Sequence, residues 1–175
     1  MNRELVLYIA ISLDGFIADK DGKVDWIAGN DPSSDEDIGY QKFLEQIDTI
    51  IMGKHTYDQV VNELSPQAWP YEGKMTYVLT KKACQNTGEI QFVSMTADDL
   101  LKDLRAKKGK NIWLCGGADV VRQFHQAGLI DRYHMTIVPV ILGGGISLFS
   151  DTLQPLCLKS VTVTNGFIDA VYGKR

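Results

Sequence analysis

Short apolar runs at residues 5–11, 49–52, 75–80 and 111–115 limit what this chain can fold into. Each is too short for a buried helix and the right length for a strand covered on both faces. Helical signals fall between them. Ser34 or Asp35 can cap a helix reaching about residue 46, with Ile38, Phe43, Leu44 and Ile47 as its apolar stripe. A short helix is expected over 56–62. Thr96 caps another, with Asp99 three residues on and Leu100, Leu101 and Leu104 facing inward, and Gly109 ends it. A further helix over 118–127 stops at Gly128, and a long strand over 132–142 is interrupted by Pro139. Val161 and Val163 then alternate with threonines up to Asn165-Gly166, and an extended pattern resumes over 167–172. Asn-Gly between two such runs is a strong hairpin signal, because a type I′ turn needs positive φ at both central residues. Strands alternating with helices, then a hairpin, predict one α/β domain over residues 1–175. Its central sheet is mostly parallel, flanked by helices, with an antiparallel C-terminal hairpin.

Composition removes several classes of function. The 175 residues are 45% hydrophobic with a formal net charge of −4, which argues against a protein built to hold nucleic acid. No apolar stretch approaches the roughly 18 residues a membrane span needs, and the N-terminus lacks the layout of a secretory signal. Residues 1–60 hold 12 acids against 5 bases, so the rest of the chain is mildly basic. Cys84, Cys115 and Cys157 are odd in number and far apart, as reduced thiols in the cytoplasm would be. Cys115 reads as a small buried hydrophobe. His55, His125 and His134 show no metal-ligand spacing, so no metal site is expected.

Three glycine clusters stand where strands end: Gly53-Lys54-His55-Thr56, Gly116-Gly117-Ala118 and Gly143-Gly144-Gly145. Ligands of open α/β sheets bind at the carboxyl ends of strands, and glycine there lets backbone N–H groups approach a phosphate. None matches a nucleotide fingerprint. Asp48 stands where a P-loop needs its first glycine, and His55 where it needs Ser or Thr. Tight turns explain any one cluster alone.

The segment Ile50-Ile51-Met52-Gly53-Lys54-His55-Thr56-Tyr57, with a later Gly-Gly ahead of a helix, resembles the dihydrofolate reductase fold. The opening Ser12-Leu13-Asp14-Gly15-Phe16-Ile17-Ala18 and the stretch from Gly128-Leu129-Ile130-Asp131 to Gly145 are closer to a second group. They resemble the reductase domain of riboflavin biosynthesis, the C-terminal domain of the bifunctional deaminase-reductase, here standing alone. The resemblance covers nearly the whole chain and implies a dihydrofolate reductase-like fold, NADPH as cofactor and a homodimer. It implies that Gly53, Lys54, His55 and Thr56 grip the cofactor's phosphates and that Thr80, Lys81 and Lys82 meet the adenosine 2′-phosphate. It also implies that Gly116, Gly117 and Ala118 pass under the pyrophosphate and nicotinamide. Two adjacent lysines suit a doubly charged phosphate.

Hydride transfer needs an acceptor made electron-poor by a proton or a positioned water. By the resemblance, Asp37 falls on the folate reductases' active-site carboxylate and Thr136 on the threonine that bonds it. Asp14 is the competing carboxylate, and for Asp37 a plain role at a helix start also stands. Ala10, Trp26 and Tyr40 are expected on the substrate side. Lys74, where folate reductases use an arginine, cannot make the same bidentate contact, and Gln41 removes apolar stacking surface. The resemblance therefore implies a reductase acting on the C=N or C=O group of a small heterocycle. That acceptor would be similar to 5-amino-6-(5-phosphoribosylamino)uracil or to a pterin. Dihydrofolate reduction and a non-catalytic NADPH-binding module are the alternatives.

Overall fold

The computed structural model describes residues 3–31, 33–34, 39–150 and 152–175. Eight strands form one sheet in the order β5-β4-β3-β6-β1-β7-β10-β9. They are β1 (Leu5–Ser12), β3 (Ile47–Gly53), β4 (Met75–Leu79), β5 (Ile90–Val93), β6 (Asn111–Gly116), β7 (Arg132–Val138), β9 (Leu156–Thr164) and β10 (Phe167–Lys174). All pairs from β5 across to β7 are parallel, and the β7–β10 and β10–β9 pairs are antiparallel. The sheet is mostly parallel with an antiparallel C-terminal hairpin, as expected.

The apolar runs are buried because alternate residues serve opposite faces of the sheet. Leu5, Leu7, Ile112 and Leu114 pack under α3 (Ala97–Arg105) and α4 (Ala118–Gln126), with Leu100, Leu104, Val121 and Phe124. Val6, Tyr8, Ile50, Met52 and Trp113 face the other way, against Phe43 of α1 (Tyr40–Leu44). Thr96 caps α3 as its sequence signal predicts, its hydroxyl accepting the Asp99 N–H. Arg3, just before β1, ties together β3, the end of α3 and the entry to β6 from a nearly buried position. Its guanidinium donates to the Leu104 and Lys110 carbonyls at 3.1 and 2.7 Å, to the Thr49 hydroxyl at 2.6 Å, and to Asp48.

Several boundaries differ from expectation. The helix expected from Ser34 or Asp35 is described only from Tyr40, with Gly39 at φ 91° in the N-cap position, and its expected start at Asp35 lies outside the described residues. β7 stops at Val138 because Pro139 has no N–H to continue the ladder. The Asn165-Gly166 turn has positive φ at both residues (48° and 82°), as a type I′ turn requires. A two-stranded sheet of β2 (Phe16–Ala18) and β8 (Ile146–Ser147) is too short to leave a periodic signal. The helix after β3, α2 (Lys54–Gln59), runs on through a wider π-helical turn to Leu64.

Candidate active site

A cleft of about 1250 Å³ opens at the carboxyl ends of β1, β3, β4 and β6. Two of the three glycine clusters meet in it. Gly53 ends β3, Gly116-Gly117 ends β6 in a cis peptide, and the helices that follow begin at once. A Cβ on Gly53 would stand 3.0 Å from the Val120 side chain, and one on Gly117 would stand 3.1 Å from the Thr56 hydroxyl. Side chains at either position would crowd the junction between the two turns. Gly117, the N-cap of the nine-residue α4, offers no side chain to satisfy the helix's first N–H groups. Those donors and the helix dipole make this end of the cleft suited to an anion.

Lys54, His55, Thr56, Thr80, Lys81, Ala118 and Ala10 all line the same cleft. Lys54 is already engaged: its ammonium reaches both Asp58 oxygens, at 2.5 and 2.7 Å, and this hydrogen bond raises its pKa. Arg122 is a cleft cation that sequence reasoning missed, and it leans on Asp119 at 2.8 Å. Lys81 makes no ion pair with a described residue. It stands two residues past the end of β4, whose Leu79 pairs with Gly53 in the parallel register.

Other expected site residues are placed elsewhere. Lys82 is off the cleft and exposed, with its N–H on the Thr80 hydroxyl at 3.1 Å. Trp26 donates its indole N–H to the Lys23 carbonyl at 3.1 Å, and its neighbour Ile27 lines the cleft instead. The third glycine cluster also lies off the cleft. A Cβ on Gly145 would fall 2.1 Å from the Ala18 carbonyl oxygen, so that glycine serves the close packing of β2 and β8. Asp14 is exposed and absent from the cleft wall. Its carboxylate accepts from the Ser12 hydroxyl at 2.7 Å and from the Leu142 and Gly143 N–H groups at 3.1 and 2.8 Å. The Ser12 hydrogen bond, helped by those amides, lowers its pKa. Asp14 is thus engaged with the 142–143 loop and stands outside the cleft wall.

Thr136 is buried one strand from the cleft, directly beside Ala10 in the β1–β7 register. Its hydroxyl donates to Asp169 of β10 at 2.9 Å, while His134 Nε2 pairs with the other Asp169 oxygen at 2.7 Å. The carboxylate expected beside it, Asp37, lies outside the described residues. Sequence reading missed Asp169 because it comes from the next hairpin strand, 33 residues beyond Thr136. Tyr40 is not in the cleft wall. Its ring packs on Tyr8 and Trp113, with centroids 5.8 and 6.0 Å away. Tyr71 and Cys115 do line the cleft, at the end near Ala10, and both were missed there. Cys115 packs against the Trp113 side of the core, as a small buried hydrophobe does, and it also lines the cleft. Among the described residues no cluster of His, Cys, Asp and Glu could hold a metal, and no helix is long and apolar enough to cross a membrane.

The fold is similar to that of a dihydrofolate reductase from Enterococcus faecalis solved with NADP(H). It is 16% identical, covers 99% of both chains and has a TM-score of 0.68, so the likeness defines the fold class. The chain itself belongs to the RibD C-terminal domain family, whose pattern matches residues 3–169. It is 40% identical over 160 residues to the uncharacterized protein YwjB of Bacillus subtilis, covering 91% of this chain and 90% of that one. A Shewanella sp. PV-4 structure described as a candidate riboflavin biosynthesis protein is 29% identical, with a TM-score of 0.86 over 100% of this chain and 99% of its own. Family membership supports a role of the riboflavin-pathway reductase type.

Proposed function

We propose that this protein is an NADPH-dependent reductase acting on a C=N or C=O group of a small heterocycle. An acceptor similar to 5-amino-6-(5-phosphoribosylamino)uracil or to a pterin fits the family best. The observation that carries this reading is the single cleft that collects the Gly53–Thr56 turn, the Thr80–Lys81 strand end and the Gly116–Ala118 turn. The residues fit the cofactor. The crowded glycine junction and the uncapped α4 N-terminus suit the pyrophosphate, and Thr80 and Lys81 suit a 2′-phosphate. When bound, NADPH supplies hydride. The chain's own part is to orient the two reactants and to screen them from water with Ile17, Ile27 and Ile146 along the mouth. Ala10 would form the floor beneath the acceptor. Asp37 is the proposed carboxylate near it, since Asp14 is committed to its loop and Thr136 to Asp169.

Titration with NADPH while following thermal stability tests the cofactor, and loss of absorbance at 340 nm with the pyrimidine tests turnover. No shift with NADPH or NADH would end this reading. A non-catalytic NADPH-binding module has one observation in its favour, the commitment of Asp14 to backbone amides. It would be supported by a clear shift with no turnover across pyrimidines, pterins and dihydrofolate. We propose a cytoplasmic homodimer. Edge strand β9 and its neighbour leave Val161, Val163 and Ile168 exposed on one face (53, 67 and 38%), a surface a second copy could cover. Sedimentation as a monomer at micromolar concentration would refute the dimer.

A further inference from the structure

The end of the cleft near Ala10 differs chemically from the phosphate end. Among the described residues, every charged side chain of the cleft belongs to the turns and helices that follow β3, β4, β5 and β6. Ile9, Val24, Ile27, Val60 and Leu64 give the cleft an apolar wall, and among the described residues Gln59, Tyr71 and Cys115 add polar groups, Cys115 one residue past the Leu7–Leu114 pair of β1 and β6 and so on the side of Ala10. Gln59 is spent, donating its amide to the Gly22 carbonyl at 2.9 Å. Tyr71 and Cys115 line the cleft as a hydrogen-bonded pair whose remaining capacity can meet a ligand.

Tyr71 is held firmly. Its ring is wedged edge-on between two indoles, Trp69 at 5.1 Å and Trp113 at 5.3 Å, both within a few degrees of perpendicular. Its hydroxyl reaches the Cys115 thiol and the Tyr40 hydroxyl. Cys115 is the residue immediately before the Gly116-Gly117 turn, so this phenol stands beside the turn the cofactor reading assigns to the nicotinamide. Burial raises the pKa of all three groups, Tyr40 and Cys115 to about 12 and Tyr71 further. At neutral pH each keeps its proton and carries no charge. An apolar wall with a few fixed neutral donors recognises a planar ring through one heteroatom and disfavours a charge there.

We infer that Tyr71, backed by Cys115, forms an uncharged hydrogen-bonding subsite for a carbonyl or ring nitrogen of a neutral planar heterocycle. Tyr71 fixes which edge of the ring enters the cleft. This deepens the reductase reading and rests on it for the identity of the neighbouring cofactor. It excludes acceptors that place a carboxylate or phosphate at this end.

The test is equilibrium binding, so it does not depend on turnover. 5,6-Diaminouracil and orotate, a uracil bearing a carboxylate, are titrated by calorimetry into the full chain saturated with NADP⁺. The diaminouracil is expected to bind at least tenfold more tightly than orotate. Tyr71→Phe, which keeps the ring between the two tryptophans, should weaken it fivefold or more and leave NADPH affinity within twofold. If Tyr71→Phe does not fold, Cys115→Ala is used, with an expected threefold to tenfold loss that Cys115→Ser largely restores. Equal binding by the Phe variant, orotate binding as tightly as diaminouracil, or no pyrimidine binding by the unaltered protein overturns the subsite. Failure to bind NADPH or NADP⁺ overturns the reductase reading separately. Pyrimidine titration of the protein alone then decides the subsite by the same comparisons.

Discussion

Cys115 should react with disulfides far more slowly than an ordinary thiol, although it faces an open cleft. Burial raises its pKa from 9.0 to about 12, against a smaller lowering by the Tyr71 hydroxyl. At pH 8 a thiol of pKa 9 is roughly 9% thiolate and one of pKa 12 roughly 0.01%, a difference of about 900-fold. A more basic thiolate is a better nucleophile, with a Brønsted slope of about 0.4–0.5, which recovers roughly 15-fold to 30-fold over three pK units. The net expectation is a rate about 30–60 times below that of a free cysteine with the same reagent. The assay uses the Cys84→Ser/Cys157→Ser variant, so that 4,4′-dithiodipyridine reports Cys115 alone, with the modified peptide identified by mass spectrometry. The rate should climb about tenfold per pH unit through pH 10 and level off only near 12. A plateau near pH 9, or a rate at pH 8 within fivefold of free cysteine, would refute the argument that burial keeps this thiol protonated. The stability linkage has the matching sign. A folded pKa above the unfolded value means that the buried thiol supports the fold below about pH 9, and that this support fades as pH rises toward 12.

Arg3→Ala removes a nearly buried guanidinium with four acceptors and takes from the Asp48 carboxylate its cation, leaving it the Thr49 hydroxyl and the Lys110 N–H. It should cost about 3 kcal/mol, lowering Tm by roughly 6–12 °C for a chain of this length. A scanning-calorimetry shift under 2 °C would contradict it. Lys81→Ala should weaken NADPH about threefold to tenfold and leave NADH unchanged, as read by fluorescence titration. Equal losses for both nucleotides would remove Lys81 from the proposed 2′-phosphate site. Asp14→Asn should loosen residues 142–143, seen as faster amide exchange there. Because its folded pKa is lowered, its support is present above about pH 4 and disappears as pH falls through the folded value. Unchanged exchange at Leu142 and Gly143 would show that the loop is held by something else. Asn165→Ala should free the segment that the hairpin tip clamps through Asp31. Asn165 accepts the Asp31 N–H at 2.9 Å and donates to its carbonyl at 2.8 Å. Exchange protection at Asp31 that survives the substitution would count against the clamp.

The local code of this chain is strong where one segment decides its own conformation. Residues 5–11 must be a strand covered on both sides, Thr96 must start a helix, and Asn165-Gly166 must turn a hairpin, because propensity, pattern and turn geometry agree at each. The glycine turns after β3 and β6 were legible as strand-end turns for the same reason: backbone N–H groups at a strand end need no distant partner to be recognised. The third glycine cluster carried the same local signal and proved to be packing, since only the approach of Ala18 from a distant segment gives Gly145 its role. Side-chain partnerships across the sheet were likewise out of reach. Asp14 could not announce that it would bind the backbone of residues 142–143, nor Thr136 that its hydroxyl would go to Asp169. Nothing in the local sequence places Tyr71 between two tryptophans over Cys115. Those pairings depend on strand order and register, which bring together residues as much as 129 positions apart. The sequence by itself determined the parallel frame and where phosphate-like donors could gather. Only the tertiary structure decided which carboxylates, hydroxyls and thiol remain to face a ligand, because hydrogen-bonding groups are claimed by whichever partner the fold brings within about 3 Å.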